Sequence, residues 1–313
     1  MGSGGAAGDH LGRAMRLILS PYFLLVVTAL CWSGNHVLGR AVHNDMQPFS
    51  LAFWRWTIAS AVLLPFVARQ AWEYRSVVRR HWPLLALLAA LGMSINHGFL
   101  YLALNKTTAV NVGLINAMAP IIIPMASFLI DRELVTTRQS IGVSVSLAGV
   151  LIIISRADLA VLLGLRFTPG DLYMLGAVLV WAVYSVLLKR LPPGLPPMVF
   201  LLVLSVIGAV LLFPFYAWEV AALGGFALNV PNFLTLAYIG LFPSVLAYIC
   251  WNRGVAQIGA NKAGLFNYLI PVFTVGLAVL LLGEVVHVYH AAGAVLAVIG
   301  IYLTTVARRP APQ

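Results

Sequence analysis

Charge is what this sequence has least of. Only 9% of its 313 residues are charged and nine are acidic, while 61% are hydrophobic. Soluble domains carry about 25% charged residues, so a water-soluble globule is excluded for want of charge to cover it. Cysteine is almost as scarce: Cys31 and Cys250 both sit inside apolar runs, where free cysteine behaves as a small buried hydrophobe, and neither a disulfide nor thiol chemistry is expected. No G-x-S-x-G, H-E-x-x-H or paired intramembrane aspartate occurs, so a nucleophile and base in register are lacking and an enzyme is not expected. A ring of charges or filter-like segment of the channel type is missing as well. No metal or other cofactor is implied.

The acids are Asp9, Asp45, Glu73, Asp131, Glu133, Asp158, Asp171, Glu219 and Glu284, each in a tail, a loop or at the end of an apolar run. Proton-driven antiporters usually hold an Asp or Glu at mid-membrane. Its lack here points to facilitated diffusion or exchange, with His36 or His97 left as buried titrating groups.

What the chain has in abundance is long apolar runs, each near the roughly 20 residues a helix needs to cross the hydrocarbon. The expected class is an all-α membrane protein with ten spans: roughly Tyr22 to Arg40, Phe49 to Arg69, Pro83 to Leu104, Ala109 to Ile130, Gln139 to Ser155, Asp171 to Lys189, Met198 to Trp218, Phe233 to Arg253, Ala260 to Leu282 and Tyr289 to Ala307. The net charge of +10 is scattered between these runs rather than gathered into a patch, so it speaks for membrane topology and not for nucleic acid. Fourteen Lys and Arg fall on the side that holds both termini and four on the other, which places both termini in the cytoplasm. The expected partners are membrane lipid and a small-molecule substrate, the working unit a monomer or homodimer. The Gly-rich opening reads as a cytoplasmic tail, residues 1–20, retained and uncleaved.

One stretch occurs twice. An offset of 151 carries Gly113 onto Gly264, Asn116 onto Asn267, Pro120 onto Pro271, Glu133 onto Glu284, Gly142 onto Gly293 and Gly149 onto Gly300. Upstream, an offset of 149 carries Trp32 onto Trp181, Arg40 onto Lys189 and Pro48 onto Pro197. Such matches among scarce residue types mark an internal duplication. The copies take residues 21–156 and 170–308, five spans each; five is odd, so the repeats are inverted, with a binding site expected between them near the midplane.

Pro48 with Arg55, Pro120, then E-L-x-x-x-x-Q-x-x-G at Glu133, Gln139 and Gly142 with a second Gly at Gly149 resemble the EamA-type branch of the drug/metabolite transporter superfamily. The resemblance covers nearly the whole chain in two copies and implies a ten-helix carrier of the bacterial inner membrane without a bound cofactor. The run HGFLYLAL, within span three, is similar to aromatic amino-acid exporters of the YddG kind. The second copy departs by having His290 where Gln139 stands in the first, and Phe273 and Thr274 where Ile122 and Ile123 stand.

Candidate substrate contacts are polar or aromatic groups inside spans: Trp32 and His36 on the first, Asn96, His97 and Tyr101 on the third, Trp181 and Tyr184 on the sixth, Tyr248 and Trp251 on the eighth. His97 reads either as a histidine bonded to a neighbouring helix or as a donor to a substrate carboxylate, and His36 with Asn35 has the same two readings. Aromatic rings in spans usually pack. Trp32 and Trp181, however, match across the repeats, and two such rings would sandwich an aromatic side chain and attract an ammonium. Arg55, between Trp54 and Trp56, is read as an interfacial arginine that snorkels beside an aromatic belt, while its place in the family pattern it resembles implies the other reading, an interior anchor for the protein or for an anionic group. Pro120 and Pro271 should free the carbonyls of Asn116 and Asn267 four residues earlier, kinking a pair of gating helices. Gly142, Ser146 and Gly149, with Gly293, Ala297 and Gly300, form small-residue stripes for close packing. Glu133 and Glu284 are expected to tether the loops that follow them. The substrate these features suggest is a small zwitterion, foremost an aromatic or bulky neutral amino acid, with a broad exporter of amphipathic drugs as the alternative.

Overall fold

Proline opens most of the helices. It stands in the first two positions at Pro21, Pro48, Pro83, Pro120, Pro169, Pro197 and Pro231, where its missing N–H costs nothing and its fixed φ is already helical. The computed structural model describes residues 20–107, 109–164, 168–282 and 287–305. Glu284, the N-terminal tail with Arg13 and Arg16, and the C-terminal Arg308 and Arg309 lie outside them. The helices are α1 (Pro21–Ala41), α2 (Pro48–Glu73), α3 (Trp82–Lys106), α4 (Ala109–Asn116), α5 (Ala119–Asp131), α6 (Thr137–Ser155), α7 (Pro169–Arg190), α8 (Pro197–Leu223), α9 (Val230–Ile258), α10 (Ala260–Gly264), α11 (Leu269–Leu282) and α12 (Val288–Thr305). Among the described residues there is no strand. Among the described residues eight segments are long and apolar enough to cross a bilayer: α1, α2, α3, the α4–α5 pair, α6, α7, α8 and α9. Phe66, Leu129 and Leu280 are among many large apolar side chains left exposed, as a surface solvated by lipid requires.

Polar capping fixes several helix starts. Thr136 and Gln139 form a reciprocal capping box at α6. His290, the residue that departs from Gln139 in the second copy, does half of the same work, because its Nδ1 accepts the His287 N–H at 3.2 Å. The two carboxylates buried among the described residues serve helix starts too. Asp171 accepts from Thr107 Oγ1 at 2.6 Å and from the Thr168 N–H at 2.6 Å, while Glu219 takes the N–H groups of Phe49 and Ser50 at 3.0 and 2.6 Å. A negative charge is favourable at these positive ends.

The small-residue stripes meet each other. Gly142 on α6 lies against Gly300 on α12, and Gly149 lies against Gly293. Ser146 Oγ donates to the Ala297 carbonyl at 3.0 Å between them. The stripes are therefore spent on packing inside the subunit.

The expected kink at Pro120 is corrected to a full break. The helix stops at Asn116, turns through Ala117 and Met118, and restarts at Ala119. Pro120 occupies the first turn of the new helix, where it interrupts no hydrogen bond, rather than a helix interior. In the second copy the backbone instead tightens to a 3-10 turn over Leu265–Tyr268, which contains Asn267, before α11 and Pro271. A stretch of this kind is a common hinge.

Two other irregularities pair up. The middle of α3 widens to a π turn at Ala90–Ile95 and the middle of α9 does so at Phe242–Leu246. In both, a serine reaches five residues back: Ser94 Oγ to the Ala89 carbonyl at 3.5 Å and Ser244 Oγ to that of Ile239 at 2.6 Å.

Candidate functional site

The carbonyls beside these π turns are where the central side chains are tied. Pro243 O accepts from Arg55 Nη2 at 2.9 Å and Trp32 Nε1 at 3.2 Å. Met93 O accepts from Trp56 Nε1 at 2.8 Å and lies 3.1 Å from His97 Nδ1, and Gly92 O accepts from the Tyr248 hydroxyl at 2.7 Å. A regular helix turns its carbonyls to its own amides; π turns are where acceptors become available to other groups, and functional sites often have them.

These side chains enclose a chamber between the helices, with a free volume of about 50 Å³, bordered by Trp32, Asn35, His36, Arg55, Asn96, His97, Asn116, Trp181, Tyr248 and Asn267 together with apolar neighbours. That is room for one or two waters, so the chamber is contracted. Seven of the nine sequence-predicted contacts belong to it or to the groups that hold it. Trp32, His36, Asn96, His97, Trp181 and Tyr248 border it, and Tyr101 stands behind Arg55, its hydroxyl 2.8 Å from Asn35 Oδ1 and 3.3 Å from Arg55 Nη1. Tyr184 and Trp251 do not reach the wall. Both are fully buried in the ring cluster, with the Tyr184 hydroxyl donating to Asn252 Oδ1 at 3.1 Å. Asn116 and Asn267 border the chamber from opposite halves of the chain; their prolines, Pro120 and Pro271, do not.

The two tryptophans face inward and touch. Trp32 and Trp181 pack edge to face with centroids 5.0 Å apart and planes at 88°, and Tyr248 and Trp251 each lie within 6.0 Å of both. The sandwich expected from the sequence is thus corrected for this conformation: no slot separates the rings, because the edge of one fills the face of the other.

Arg55 carries the main correction. It is fully buried, borders the chamber and bonds to Asn35, Tyr101 and the Pro243 carbonyl, so it does not snorkel. Trp56 beside it is fully buried as well, its ring 5.1 Å from the guanidinium carbon. Only Trp54 turns to the outer face, against Tyr216. Three consecutive residues span about 200° of a helix, which no single lipid-facing belt can contain; that spacing was the available signal.

His97 is held through Nδ1 by a carbonyl, which can only accept. The proton therefore sits on Nδ1, and a neutral ring offers Nε2 as an acceptor. Of the two sequence readings, the bond is to a carbonyl of its own helix and not of a neighbour, and donation to a substrate carboxylate would need the second ring proton. Asn96 Nδ2 donates to the Ala177 carbonyl at 2.8 Å. No carboxylate borders the chamber among the described residues, and no cluster there has metal-ligand character.

At one end of the bundle the two halves are pinned by charge. Lys189 Nζ lies 2.6 Å from Glu133 Oε1 and 3.6 Å from Asp131 Oδ2, and Arg190 Nη2 lies 3.2 Å from Asp131 Oδ1. Glu133 also accepts from Ser127 Oγ at 2.6 Å and from Asn261 at 3.4 Å, so it ties the start of α10 as well as the loop it was expected to tether. The Lys189 bond, then that of Ser127, holds the Glu133 carboxyl below its ordinary range.

An apolar helical bundle closed around a buried chamber of rings, amides and one arginine is the build of a membrane transporter. The chain belongs to the EamA-like transporter family, whose profile matches residues 19–155 and again residues 168–306. Among its relatives are an uncharacterized transporter of Archaeoglobus fulgidus, 28% identical over 91% of this chain and 96% of that one, and a probable terminal-alkyne amino-acid exporter of Streptantibioticus cattleyicolor, 26% identical over 89% and 91%. A probable amino-acid metabolite efflux pump of Salmonella typhimurium is 23% identical over 90% and 93%. A solved crystal structure superposes with a TM-score of 0.72 at 23% identity, covering 90% of this chain and 95% of that one, a likeness of fold.

Proposed function

We propose that this protein is a secondary carrier of the bacterial inner membrane that exports small organic zwitterions, foremost aromatic or bulky neutral amino acids, by alternating access. The observation that carries this reading is the chamber itself, where Trp32, Trp181 and Tyr248 offer ring faces and Asn35, Asn96, Asn116 and Asn267 offer amides. Ring faces attract an ammonium at about 0.5–2 kcal/mol each, and neutral amides match either charge of a zwitterion. Two relatives carry amino-acid export in their names.

The mechanism follows from two inverted five-helix repeats, 21–156 and 170–308, with α11 and α12 as the ninth and tenth spans and both termini cytoplasmic. In support, the helix contacts come in pairs that exchange the halves: α3 on α7 with α1 on α9, and α5 on α7 with α1 on α11, while α2–α8 and α6–α12 map onto themselves. The Gly142–Gly300 and Gly149–Gly293 approaches likewise exchange under the 151-residue offset. Helices so related rock about the shared site and open it to one face at a time. With no carboxylate on the chamber wall among the described residues, facilitated diffusion or exchange is the mode proposed.

The deciding experiment is counterflow in proteoliposomes over a panel of amino acids, with labelled phenylalanine against methyl viologen and with or without a pH gradient. Phenylalanine exchange without a gradient is expected. Preference for methyl viologen, or strict dependence on an imposed gradient, would overturn the substrate or the mode respectively.

The charged cluster at Asp131, Glu133, Lys189 and Arg190 is read as a cytoplasmic latch. Lys189→Ala should speed opening on that side, seen as faster labelling of a cysteine introduced at Asn116, without lowering the amount of folded protein. Because the Glu133 pKa is depressed, its contribution is complete above the ordinary value of 4.5 and fades as pH falls below it through the lowered value. The difference between wild type and Glu133→Gln should therefore be present at neutral pH and vanish in acid; a difference that persists there would break the link to ionisation.

A further inference from the structure

We propose that Arg55 is an anion-recognition group of the chamber, so that a substrate is accepted only if it brings a carboxylate or comparable oxyanion. The proposal rests on the carrier reading and adds the charge that the substrate must carry.

The guanidinium is fully buried at the chamber wall, and every partner it has is neutral: Asn35 Oδ1 at 3.2 Å, the Tyr101 hydroxyl at 3.3 Å and the Pro243 carbonyl at 2.9 Å. The Trp56 ring beside it is neutral too. Among the described residues no carboxylate comes within ion-pair distance; the pairs formed involve Arg69, Lys189 and Arg190 only. Nη1 carries two bonds, Nη2 carries one for its two hydrogens, and the buried Nε–H has no partner. Nε and Nη2 form the side edge of the fork, the edge whose parallel N–H groups grip a carboxylate at two points. A cation held in a membrane interior without a counter-charge is costly and is normally paired or functional. Here the missing partner is one the cargo supplies. Asn35 and Tyr101 bond to each other as well as to Arg55, which fixes the guanidinium plane before a ligand arrives.

The same geometry would let Arg55 serve only as a strut joining α2 to α1, α3 and α9. The two roles separate in the ligand series. Purified wild-type protein in nanodiscs is titrated with phenylalanine, 3-phenylpropionate, benzylphosphonate, phenylalanine amide and phenethylamine, reading tryptophan fluorescence and melting temperature. The expected result is that the first three bind and the last two bind at least about tenfold more weakly, the loss of a charge-assisted bond pair. Arg55→Lys should keep the order with weaker binding, and Arg55→Gln should erase it. Equal binding of phenethylamine and 3-phenylpropionate to the wild type would overturn the proposal, whether or not either variant folds. If benzylphosphonate and 3-phenylpropionate bind but phenylalanine neither binds nor exchanges, the anion rule stands and the amino-acid reading fails.

Discussion

Gly149→Leu is expected to remove most of the folded protein. A β-carbon at Gly149 would sit 2.8 Å from both the Ala297 nitrogen and Leu296 Cβ and against the Gly293 carbonyl, so backbone itself would have to move. The Gly142–Gly300 approach, one turn pair away, is as tight, and Ser146 is bonded across the seam. Forcing even a few methylenes into such packing costs about 1–3 kcal/mol, and leucine adds four carbons where the first already collides; native proteins hold only about 5–15 kcal/mol. Size-exclusion chromatography and melting in detergent should show aggregated or low-melting material. Gly276→Ala is the control, because nothing lies within 4 Å of a β-carbon there. A monodisperse Gly149→Leu with an unchanged melting point would mean that α6 and α12 do not approach as described.

Trp181→Ala should have the next largest effect, on both stability and selectivity. The ring touches Trp32, Trp251, Tyr184 and Tyr248 with centroids 5.0 to 5.8 Å away and is nearly buried at 8% exposure. Truncating a core aromatic costs about 3–5 kcal/mol. In the molecules that remain folded, half-saturation for phenylalanine exchange should rise about tenfold, the value of one good ring contact, while that for alanine changes little. Trp181→Phe keeps the ring and should restore most of both. A variant that loses phenylalanine and alanine equally would reduce Trp181 to packing alone, and with it the aromatic preference proposed here.

Eight spans among the described residues were legible because hydrophobicity over about 20 residues is a strong signal, and the small-residue stripes because their glycines recur at one offset, although that recurrence does not say that α6 and α12 meet each other. The chamber was legible in composition but not in depth. For Arg55, nearness to the start of a span suggests the interface. With α2 beginning at Pro48, Arg55 lies seven residues in, about 10 Å along the helix at 1.5 Å per residue, which is already inside. A proline four residues after Asn116 predicts a kink within one helix, but here it opens a second helix after a break. Its regular place at helix starts in this chain was the better guide. The closed Trp32–Trp181 contact has no sequence signature, since pseudo-equivalence brings two rings near each other without fixing the gap between them. The π turns were legible only in part: Phe242–Leu246 carries Pro243 inside a helix, where a backbone irregularity is due but its type is not fixed, while Ala90–Ile95 offers no more than Gly92.

Those wide turns make the chamber depend on residue count. A π turn inserts one extra residue while leaving the helix on either side in phase, so the acceptors at Gly92, Met93 and Pro243 exist because each helix is one residue longer than a regular one would be. Side-chain replacements within the turn leave this surplus in place; shortening either turn by one residue would let the helix close regularly, keep His97 and Tyr101 on their face, and withdraw the oxygens from the arginine, the tryptophans and the tyrosine that they anchor.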